Sequence, residues 1–292
     1  MKRDRLTRAF AAQLAVNTDR LIEVNPGREL LICLPRMSLG RRKVSLDQPS
    51  RWVFNRMASF YAARPPYPAA LVDALADLAA PVGHRVGDIG AGVGHLALPL
   101  AARGFDVVAI EAAQAMLDRL RASAAERGIA LRALHAAAED LPLGSACLDL
   151  VVVADALHFL DTELAARQIA RVLVPRGALA LVTCHFAETP FMRGVVRLME
   201  EAAPRRPRAL TQSIVHLSAL TGVPFTNERR FHDETPIDHA TLERILRSIS
   251  FIGPAMTPER FAALRARVRA LPEAPVWART FVLRSGHRAS AR

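Results

Sequence analysis

The sequence predicts an α/β fold built on a doubly wound, mostly parallel sheet. Three observations lead to this prediction. Between residues 85 and 184, short apolar runs of strand length alternate with helical patterns, as expected for parallel strands joined by covering helices. A turn containing three glycines separates the first apolar run from the first of these helices. Acidic residues follow several of the runs, and ligands of such sheets lie beyond the carboxyl ends of the strands.

The predicted elements can be taken in chain order. A first helix begins near Phe54 and ends at the prolines of the segment Arg64-Pro65-Pro66, because the residue before a proline disfavours helix. A second helix follows over 69–78. The alternating segment then predicts strands over 85–89, 106–110, 131–136, 148–154 and 178–184, with helices over 95–102, 113–127 and 161–173 between them.

The pattern changes after Cys184. Helices are predicted over 191–202 and 210–220, on either side of a basic break at 204–208. A strand over 229–235, a helix over 239–248, a helix over 258–271 and a strand over 277–283 complete the chain, and the tail 284–292 is expected to fray.

The glycine turn is the first candidate for a ligand site. Gly90, Gly92 and Gly94 follow Asp88, and glycine allows positive φ and a close approach of a ligand to the backbone. The amides at the start of the next helix favour a carboxylate or another negative group. A dinucleotide fingerprint would place its third glycine at His95, so the spacing disfavours a nicotinamide cofactor. A tight connection without any ligand is the alternative.

Further strand ends carry acidic residues that would share the site. The second strand ends in Glu111, about 20 residues after the glycines, where a carboxylate can accept both hydroxyl protons of a ribose. The segment Ala138-Glu139-Asp140 precedes the fourth strand, and that strand closes with Ala154-Asp155. These strand ends are expected to meet at one edge of the sheet.

These motifs together resemble class I S-adenosylmethionine-dependent methyltransferases, in particular the small-molecule group that includes ubiquinone-biosynthesis and trans-aconitate methyltransferases. The resemblance rests on the Asp88-to-Gly94 turn, on Glu111, on the Ala-Glu-Asp-Leu-Pro segment over 138–142 and on the run VVVADALHFL over 151–160. It implies a Rossmann-like sheet with an antiparallel last strand, and a helical cap inserted after the fifth strand. It also implies S-adenosylmethionine as the cofactor.

The resemblance assigns roles to particular residues of this chain. The turn would lie under the methionine part of the cofactor, Glu111 would hold the ribose hydroxyls, and Ala138-Glu139 would meet the adenine. Many relatives have Asp before that pair, whereas this chain has Ala137, so adenine recognition would depend on backbone amides or Asp140. The full cofactor-binding prediction comprises Tyr61, Arg64, Asp88, Gly90, Ala91, Gly92, Gly94, Glu111, Ala112, Ala138, Glu139 and Ala154.

Two of these roles have structural alternatives. In relatives the leading helix closes over the cofactor, and its Tyr and Arg approach the methionine carboxylate, which maps to Tyr61 and Arg64. Tyr61 could instead pack in the core, and Arg64 could pair with a surface acid.

Asp155 and His158 are the predicted catalytic residues. Either could act as a base or orient the acceptor, although Asp155 could instead cap the following turn and His158 could be a hydrogen-bonded structural histidine. His185, after the fifth strand, is a further candidate. The sequence has no Cys-x-x-Cys or His-x-x-x-His arrangement, so no metal is predicted.

Composition narrows the choice of partner. The net charge of +11 is uneven, at +5 over 1–50, −1 over 51–184 and +7 over 185–292. Because the cofactor segment is almost neutral and aromatic residues are few, a nucleic-acid partner is not expected. No apolar run is long enough to span a membrane, and three scattered cysteines suit a reducing cytoplasm.

The sequence therefore predicts a cytoplasmic methyltransferase that acts on N, O or C of a small metabolite. The alternatives are a methyltransferase of RNA or protein and a catalytically silent nucleotide-binding protein. The predicted organisation is a poorly ordered extension over 1–50, a cofactor-binding core over 51–184, a cap over 185–257, and a helix and last strand over 258–292 that complete the core. The acceptor and the oligomeric state are not predicted.

Overall fold

The computed structural model of the protein describes residues 49–204 and 210–290, with side chains from Val53 onward. The predicted extension over 1–50 and most of the basic break over 204–208 therefore lie outside the described residues, apart from the first two residues of the leading helix and Pro204. The predicted division of the chain into segments stays a prediction.

Seven strands form one sheet in the order β3-β2-β1-β4-β5-β7-β6. Strands β1 to β5 pair in parallel, whereas β7 is antiparallel to both β5 and β6. The strands are Arg85–Ile89 (β1), Asp106–Glu111 (β2), Arg132–His135 (β3), Leu148–Ala154 (β4), Leu173–Phe186 (β5), Asn227–Pro236 (β6) and Val276–His287 (β7). The predicted α/β class, the mostly parallel sheet and the antiparallel last strand are confirmed.

Nine α-helices are described, and their positions follow the prediction closely. They are Pro49–Tyr61 (α1), Ala69–Ala79 (α2), Ala97–Ala102 (α3), Gln114–Glu126 (α4), Thr162–Val172 (α5), Pro190–Ala202 (α6), Leu210–Thr221 (α7), His239–Arg247 (α8) and Pro258–Arg269 (α9), with a short 3₁₀ helix at Leu157–Phe159. Four of them begin at a side chain that accepts a backbone N–H, namely Asp161, Thr189, Asp238 and Thr257.

Most predicted boundaries differ from the structure by a few residues, and two of the differences have a clear physical reason. The helix after the glycine turn begins at Ala97 rather than at residue 95, because residues 92–96 form consecutive turns. The last strand runs to His287, so the expected fraying from residue 284 is wrong for its first four residues. Those residues are held because β7 pairs with β5 on one side, while Arg284 and Ser285 also pair with β6 on the other.

The hydrophobic core lies on both faces of the sheet, as a doubly wound fold requires. A separate buried cluster joins α6, α8 and α9 to the start of β7 through residues such as Met192, Ile245, Phe261 and Trp277. Helices α6, α8 and α9 therefore pack at the antiparallel end of the sheet, beside the carboxyl ends of β4 and β5, whereas α7 packs against α5.

Candidate functional site

A cavity of about 1010 Å³ opens at the carboxyl ends of β1, β2, β4 and β5. Residues of α1 cover one part of it, and residues of α6 and of the loop after α8 line another. The cavity thus occupies the position at which a parallel sheet binds ligands. Of the strand-end acids expected to meet there, Asp88, Glu111 and Asp155 line it.

The glycine turn forms the floor of the cavity. Gly90, Gly92 and Gly94 have φ of 74°, 57° and 88°, a region that favours glycine. Gly90 and Gly92 line the cavity together with Ala91. Gly94 does not line it: a Cβ there would lie 3.0 Å from both Leu98 and Leu120, so this glycine permits close packing beneath the turn.

Glu111 links the second strand to the glycine turn. Its Oε2 accepts the Gly92 N–H at 2.9 Å, and its Oε1 accepts the Ala113 N–H at 2.7 Å. The side chain is 9% exposed, and both Glu111 and Ala112 line the cavity. A carboxylate offers about four acceptor positions, so these two bonds are compatible with holding a ribose diol.

Asp88 lies next to this carboxylate at the end of β1 and is 2% exposed. Burial, and after it the negative charge of Glu111, raise its pKa to about 7 against the opposing effect of a hydrogen bond from the Ala97 N–H. Around neutral pH, Asp88 therefore exchanges a proton within the cavity wall.

Tyr61 and Arg64 both line the cavity, as predicted. The Arg64 guanidinium lies 4.2 Å from the centre of the Tyr61 ring, and Nη1 donates to the Tyr61 hydroxyl at 3.2 Å. Arg64 also donates from Nε to Ser248 Oγ and from Nη2 to the Ser248 carbonyl, both at 2.7 Å. Arg64 therefore bonds to a buried serine rather than to a surface acid. Tyr61 both lines the cavity and packs against the buried cluster that contains Met57 and Met116, so its two suggested roles coexist.

His95 stacks against Tyr61, with ring centres 5.9 Å apart. Burial lowers the pKa of His95 to about 4, and the nearby charges of Arg64 and Arg279 act in the same direction. His95 therefore remains neutral in this wall at physiological pH.

The predicted adenine segment divides into two parts. Ala138 lines the cavity, whereas Glu139 is buried outside it, and its Oε1 accepts the Asp161 N–H at 2.9 Å. Asp140 is exposed and is not part of the cavity wall. Of this segment, only Ala138 borders the cavity, and neither the Glu139 nor the Asp140 side chain does.

The predicted catalytic residues follow β4, and both line the cavity, as does Ala154. The half-buried Asp155 accepts the Cys184 N–H at 2.7 Å through Oδ1 and has a φ of 50°. Burial raises the pKa of Asp155, and the Cys184 amide opposes this shift. The N-cap residue of the following 3₁₀ helix is Ala156, and no side chain caps this helix. The alternative role of Asp155 as a helix cap is therefore not observed. His158 is half-buried, with its ring centre 3.9 Å from that of Phe159.

Sequence analysis missed Arg279 of β7, which is 7% exposed and lines the cavity. Its guanidinium binds Asp233 of β6 through Nε and Nη2. It also donates to the carbonyls of Pro65 and Pro66 at 2.9 and 2.8 Å. Arg279 thus fastens the turn after α1 to the sheet. An arginine within an apolar strand was the available signal, but its partners are 46 and about 214 residues away.

No group of three or more His, Cys, Asp or Glu side chains within residues 49–204 and 210–290 is arranged to hold a metal ion. In the same part of the chain, no helix combines the length and apolarity needed to cross a bilayer.

Comparison with known proteins identifies the fold and the domain. Residues 87–181 match the family model described as a methyltransferase domain. An uncharacterized methyltransferase of Mycobacterium bovis is 40% identical over 146 residues, which are 50% of this chain and 55% of that protein. The chain therefore matches about half the length of this relative. The ubiquinone biosynthesis O-methyltransferase of Rickettsia conorii is 27% identical over 110 residues, or 37% of this chain and 38% of that protein.

The crystal structure of the YcgJ protein from Bacillus subtilis has the same fold. It superposes with a TM-score of 0.52 at 20% identity, over 76% of this chain and 97% of that one. The resemblance to class I S-adenosylmethionine-dependent methyltransferases is confirmed by these comparisons.

Proposed function

We propose that this chain, whose residues 87–181 form a class I S-adenosylmethionine-dependent methyltransferase domain, transfers a methyl group to N, O or C of a small metabolite. The observation that carries this proposal is a single cavity in which the glycine turn and Glu111 adjoin Asp155, His158 and a wall of aromatic rings. Its volume of about 1010 Å³ lies at the upper end of ligand pockets, which extend to about 1,000 Å³ and suit a cofactor together with a small acceptor.

The residues present fit the cofactor. A Cβ at Gly92 would project toward Tyr61, 3.8 Å from its ring, so glycine leaves room above the turn for a ligand. Asp88, Glu111 and Asp155 place carboxyl groups around this space, which favours a positively charged sulfur. When bound, S-adenosylmethionine would supply an activated methyl group.

Gly90 to Gly92 would support the methionine part of the cofactor, Glu111 would accept the ribose hydroxyls, and Ala112 and Ala138 would border the adenine. Arg64 would reach the methionine carboxylate from the turn after α1.

The remaining work of the chain is to align the acceptor and to exclude water. Asp155 is positioned to accept a proton from a hydroxyl or ammonium group of the acceptor, because its pKa is raised and it lines the cavity. His158 is the second candidate base. Neither Cys147 nor Cys184 forms a disulfide within the described residues, which suits the reducing cytoplasm that we propose as the location of the protein.

Calorimetric titration with S-adenosylmethionine, S-adenosylhomocysteine and NADP tests the cofactor. We expect binding of both sulfur ligands, and Glu111→Ala should weaken it by about 1–3 kcal/mol, the scale for lost hydrogen bonds to a charged group. Glu163→Ala, which removes an exposed carboxylate on α5, serves as the control and should leave the affinity unchanged. Tight NADP binding without a response to either sulfur ligand would refute the proposal.

Transfer of a labelled methyl group tests the acceptor class. The label should appear in a small-molecule extract rather than in RNA or protein. Labelled macromolecules, with binding that falls steeply as salt increases, would favour the alternative substrate class. Donor binding without transfer to any fraction would favour the catalytically silent alternative.

A further inference from the structure

Aromatic residues are concentrated around the cavity. The chain has 12 Phe, two Trp and two Tyr, and eight of these 16 residues line the cavity. The eight are Phe54, Tyr61, Tyr67, Phe159, Phe186, Phe251, Trp277 and Phe281. Seven of the eight also belong to or pack against buried clusters, so the rings that bear on ligand binding are those that keep exposed surface in the cavity.

Three of these rings form what we call the ring wall: Phe186 at the end of β5, Phe251 after α8, and Trp277 at the start of β7. Phe186 and Trp277 meet edge to face with ring centres 5.4 Å apart, and Trp277 is 3% exposed. Phe186 and Phe251 are only half-buried, so they present apolar surface to the cavity. Val196 and Ile249 add aliphatic surface to the same lining.

The ring wall lies beyond the predicted cofactor position. In the sheet order β1-β4-β5-β7, β7 is three strands from the glycine turn. Neighbouring strands are about 4.8 Å apart, so the ring wall begins roughly 10–14 Å from the turn along the sheet. Asp155, which follows β4, lies between the two. This order places the ring wall where the body of an acceptor would lie, with its reacting atom beside Asp155.

The charged groups near the ring wall are balanced by an opposite charge or, in the case of Arg64, assigned to the methionine carboxylate of the proposed cofactor. Arg279 is bound to Asp233, and Arg64 is bound to Ser248 and Tyr61. The exposed rim carries two arginines and two glutamates, Arg193, Arg197, Glu188 and Glu200. Burial raises the pKa of the Cys184 thiol, which keeps it neutral. The surroundings therefore do not select for a charged group on the body of the acceptor.

We propose that the methyl acceptor is an uncharged, apolar molecule with a planar ring, which packs on Phe186, Phe251 and Trp277 and presents its nucleophilic atom beside Asp155. Half-buried rings gain most from a planar apolar partner, which can take up offset or edge-to-face contacts while it displaces water. A sugar or an amino acid would lose water from its polar groups against this wall without regaining hydrogen bonds. This inference rests on the proposed methyltransferase function.

Calorimetry with two uncharged probes tests the inference, using 2-naphthol as the planar apolar probe and glucose as the polar one. The full chain is titrated with each probe in the presence and absence of S-adenosylhomocysteine. We expect saturable binding of 2-naphthol and no measurable binding of glucose. Phe186→Ala and Phe251→Ala should each weaken 2-naphthol binding by about tenfold or more, while the affinity for S-adenosylhomocysteine is kept.

Phe105→Ala is the matched control, because Phe105 is a half-buried ring against His84 that does not line the cavity. This variant should bind both ligands normally. If an Ala variant lowers the thermal midpoint, Phe186→Leu and Phe251→Leu, which stay apolar but lose the ring, are measured in its place.

The inference is overturned if 2-naphthol does not bind, if glucose binds as tightly, or if the ring-wall variants bind 2-naphthol like the wild type. If the proposed function is wrong, the wild-type chain will not bind S-adenosylhomocysteine, a result that is distinct from the three outcomes above.

Discussion

At the carboxyl ends of β1 and β2, the cavity wall consists of glycine backbone and carboxylates. At the end of β5 and the adjoining start of β7, it consists of aromatic rings and arginines. The contacting residues of the two regions also differ in their separation along the chain. Gly92 and Glu111, in the first region, are 19 residues apart. In the second region, Arg64 binds Ser248 at a separation of 184 residues, and Arg279 binds Pro65 at a separation of 214.

This difference shows how one cavity can serve two ligands. The cofactor region is built from one strand-turn-helix unit and its neighbouring strand, so its shape depends on backbone conformation. The acceptor region is assembled from distant segments, so its shape depends on which side chains those segments bring together. We expect substitutions in the two regions to separate donor binding from acceptor binding. Three further experiments probe the cofactor region and its junction with the acceptor region.

The largest expected effect is at the glycine turn. Gly90→Ala should weaken donor binding by at least ~100-fold, equivalent to about 2.8 kcal/mol. The new Cβ would lie 2.6 Å from the Ala156 Cβ, and a side chain at a φ of 74° is strained. The turn would have to shift beneath the ligand. Calorimetry with S-adenosylhomocysteine measures the effect.

Gly128→Ala is the control for backbone strain. Gly128 has a φ of 62°, a Cβ added there would meet no atom within 4 Å, and the residue does not line the cavity. Both variants should lose about 1–2 kcal/mol of stability from the left-handed conformation, but only Gly90→Ala should lose the donor. Normal donor binding by Gly90→Ala would remove the turn from the site.

The second experiment tests the junction between the two regions. Arg279→Lys keeps the positive charge but loses the planar guanidinium group, whose nitrogens donate to Asp233, Pro65 and Pro66 at the same time. We expect about tenfold weaker donor binding, because the turn that carries Arg64 is then less firmly placed, and a loss of stability of about 2 kcal/mol. Donor affinity and urea unfolding are measured on the same samples.

Arg85→Lys supplies the matched comparison. Arg85 binds the buried Asp149 through Nε and Nη2 at 2.9 and 2.6 Å, at the amino-terminal end of β1 and away from the cavity. Its loss should lower stability to a similar degree without changing donor affinity. If both variants lose donor affinity equally, Arg279 has only a structural role.

The smallest expected effect concerns pH within the cofactor region. Asp88 has a folded pKa of about 7, above its ordinary value of 3.8, so it stabilises the fold most at low pH and this contribution is lost as the pH rises toward 7. His95 has a folded pKa of about 4, below its ordinary value of 6.5, so its neutral burial costs stability at low pH. Between pH 4 and 6.5 the two slopes oppose each other.

Single substitutions should reveal these slopes in urea unfolding measured across this range. In Asp88→Asn only the His95 slope remains, so the free energy of unfolding should rise with pH. In His95→Gln only the Asp88 slope remains, so it should fall. Each slope should differ from that of the wild type by up to about 1.4 kcal/mol per pH unit. Asp155 also has a raised pKa, but it contributes equally to all three proteins. Parallel curves for the three proteins would contradict these protonation states.

Much of the fold could be predicted because its signals are local. Alternating apolar runs and helices located every strand, and most boundaries differ from the structure by one to a few residues. The main differences arose where pairing partners determine the length of a strand. β5 extends from residue 173 to 186, and β7 extends to His287, because each is held by a neighbour that the local pattern does not reveal.

Most of the residues predicted for the candidate site line the cavity, but some do not. Ten of the twelve residues predicted to bind the cofactor line the cavity, and so do Asp155 and His158. Gly94 and Glu139 do not line it, because one packs beneath the turn and the other binds the amide of Asp161. A short motif specifies its residues but does not specify which of them turn away from the ligand.

Local sequence was enough to predict the α/β class, the glycine turn and the acid at the end of β2, because backbone conformation and the alternation of strands and helices depend on residues close together in the chain. The tertiary structure alone decided that Arg64 binds Ser248, that Arg279 fastens the turn after α1, and that Phe186, Phe251 and Trp277 share one wall. These contacts join segments that only the folded sheet brings together, and side-chain packing at such distances leaves no periodic trace in the sequence.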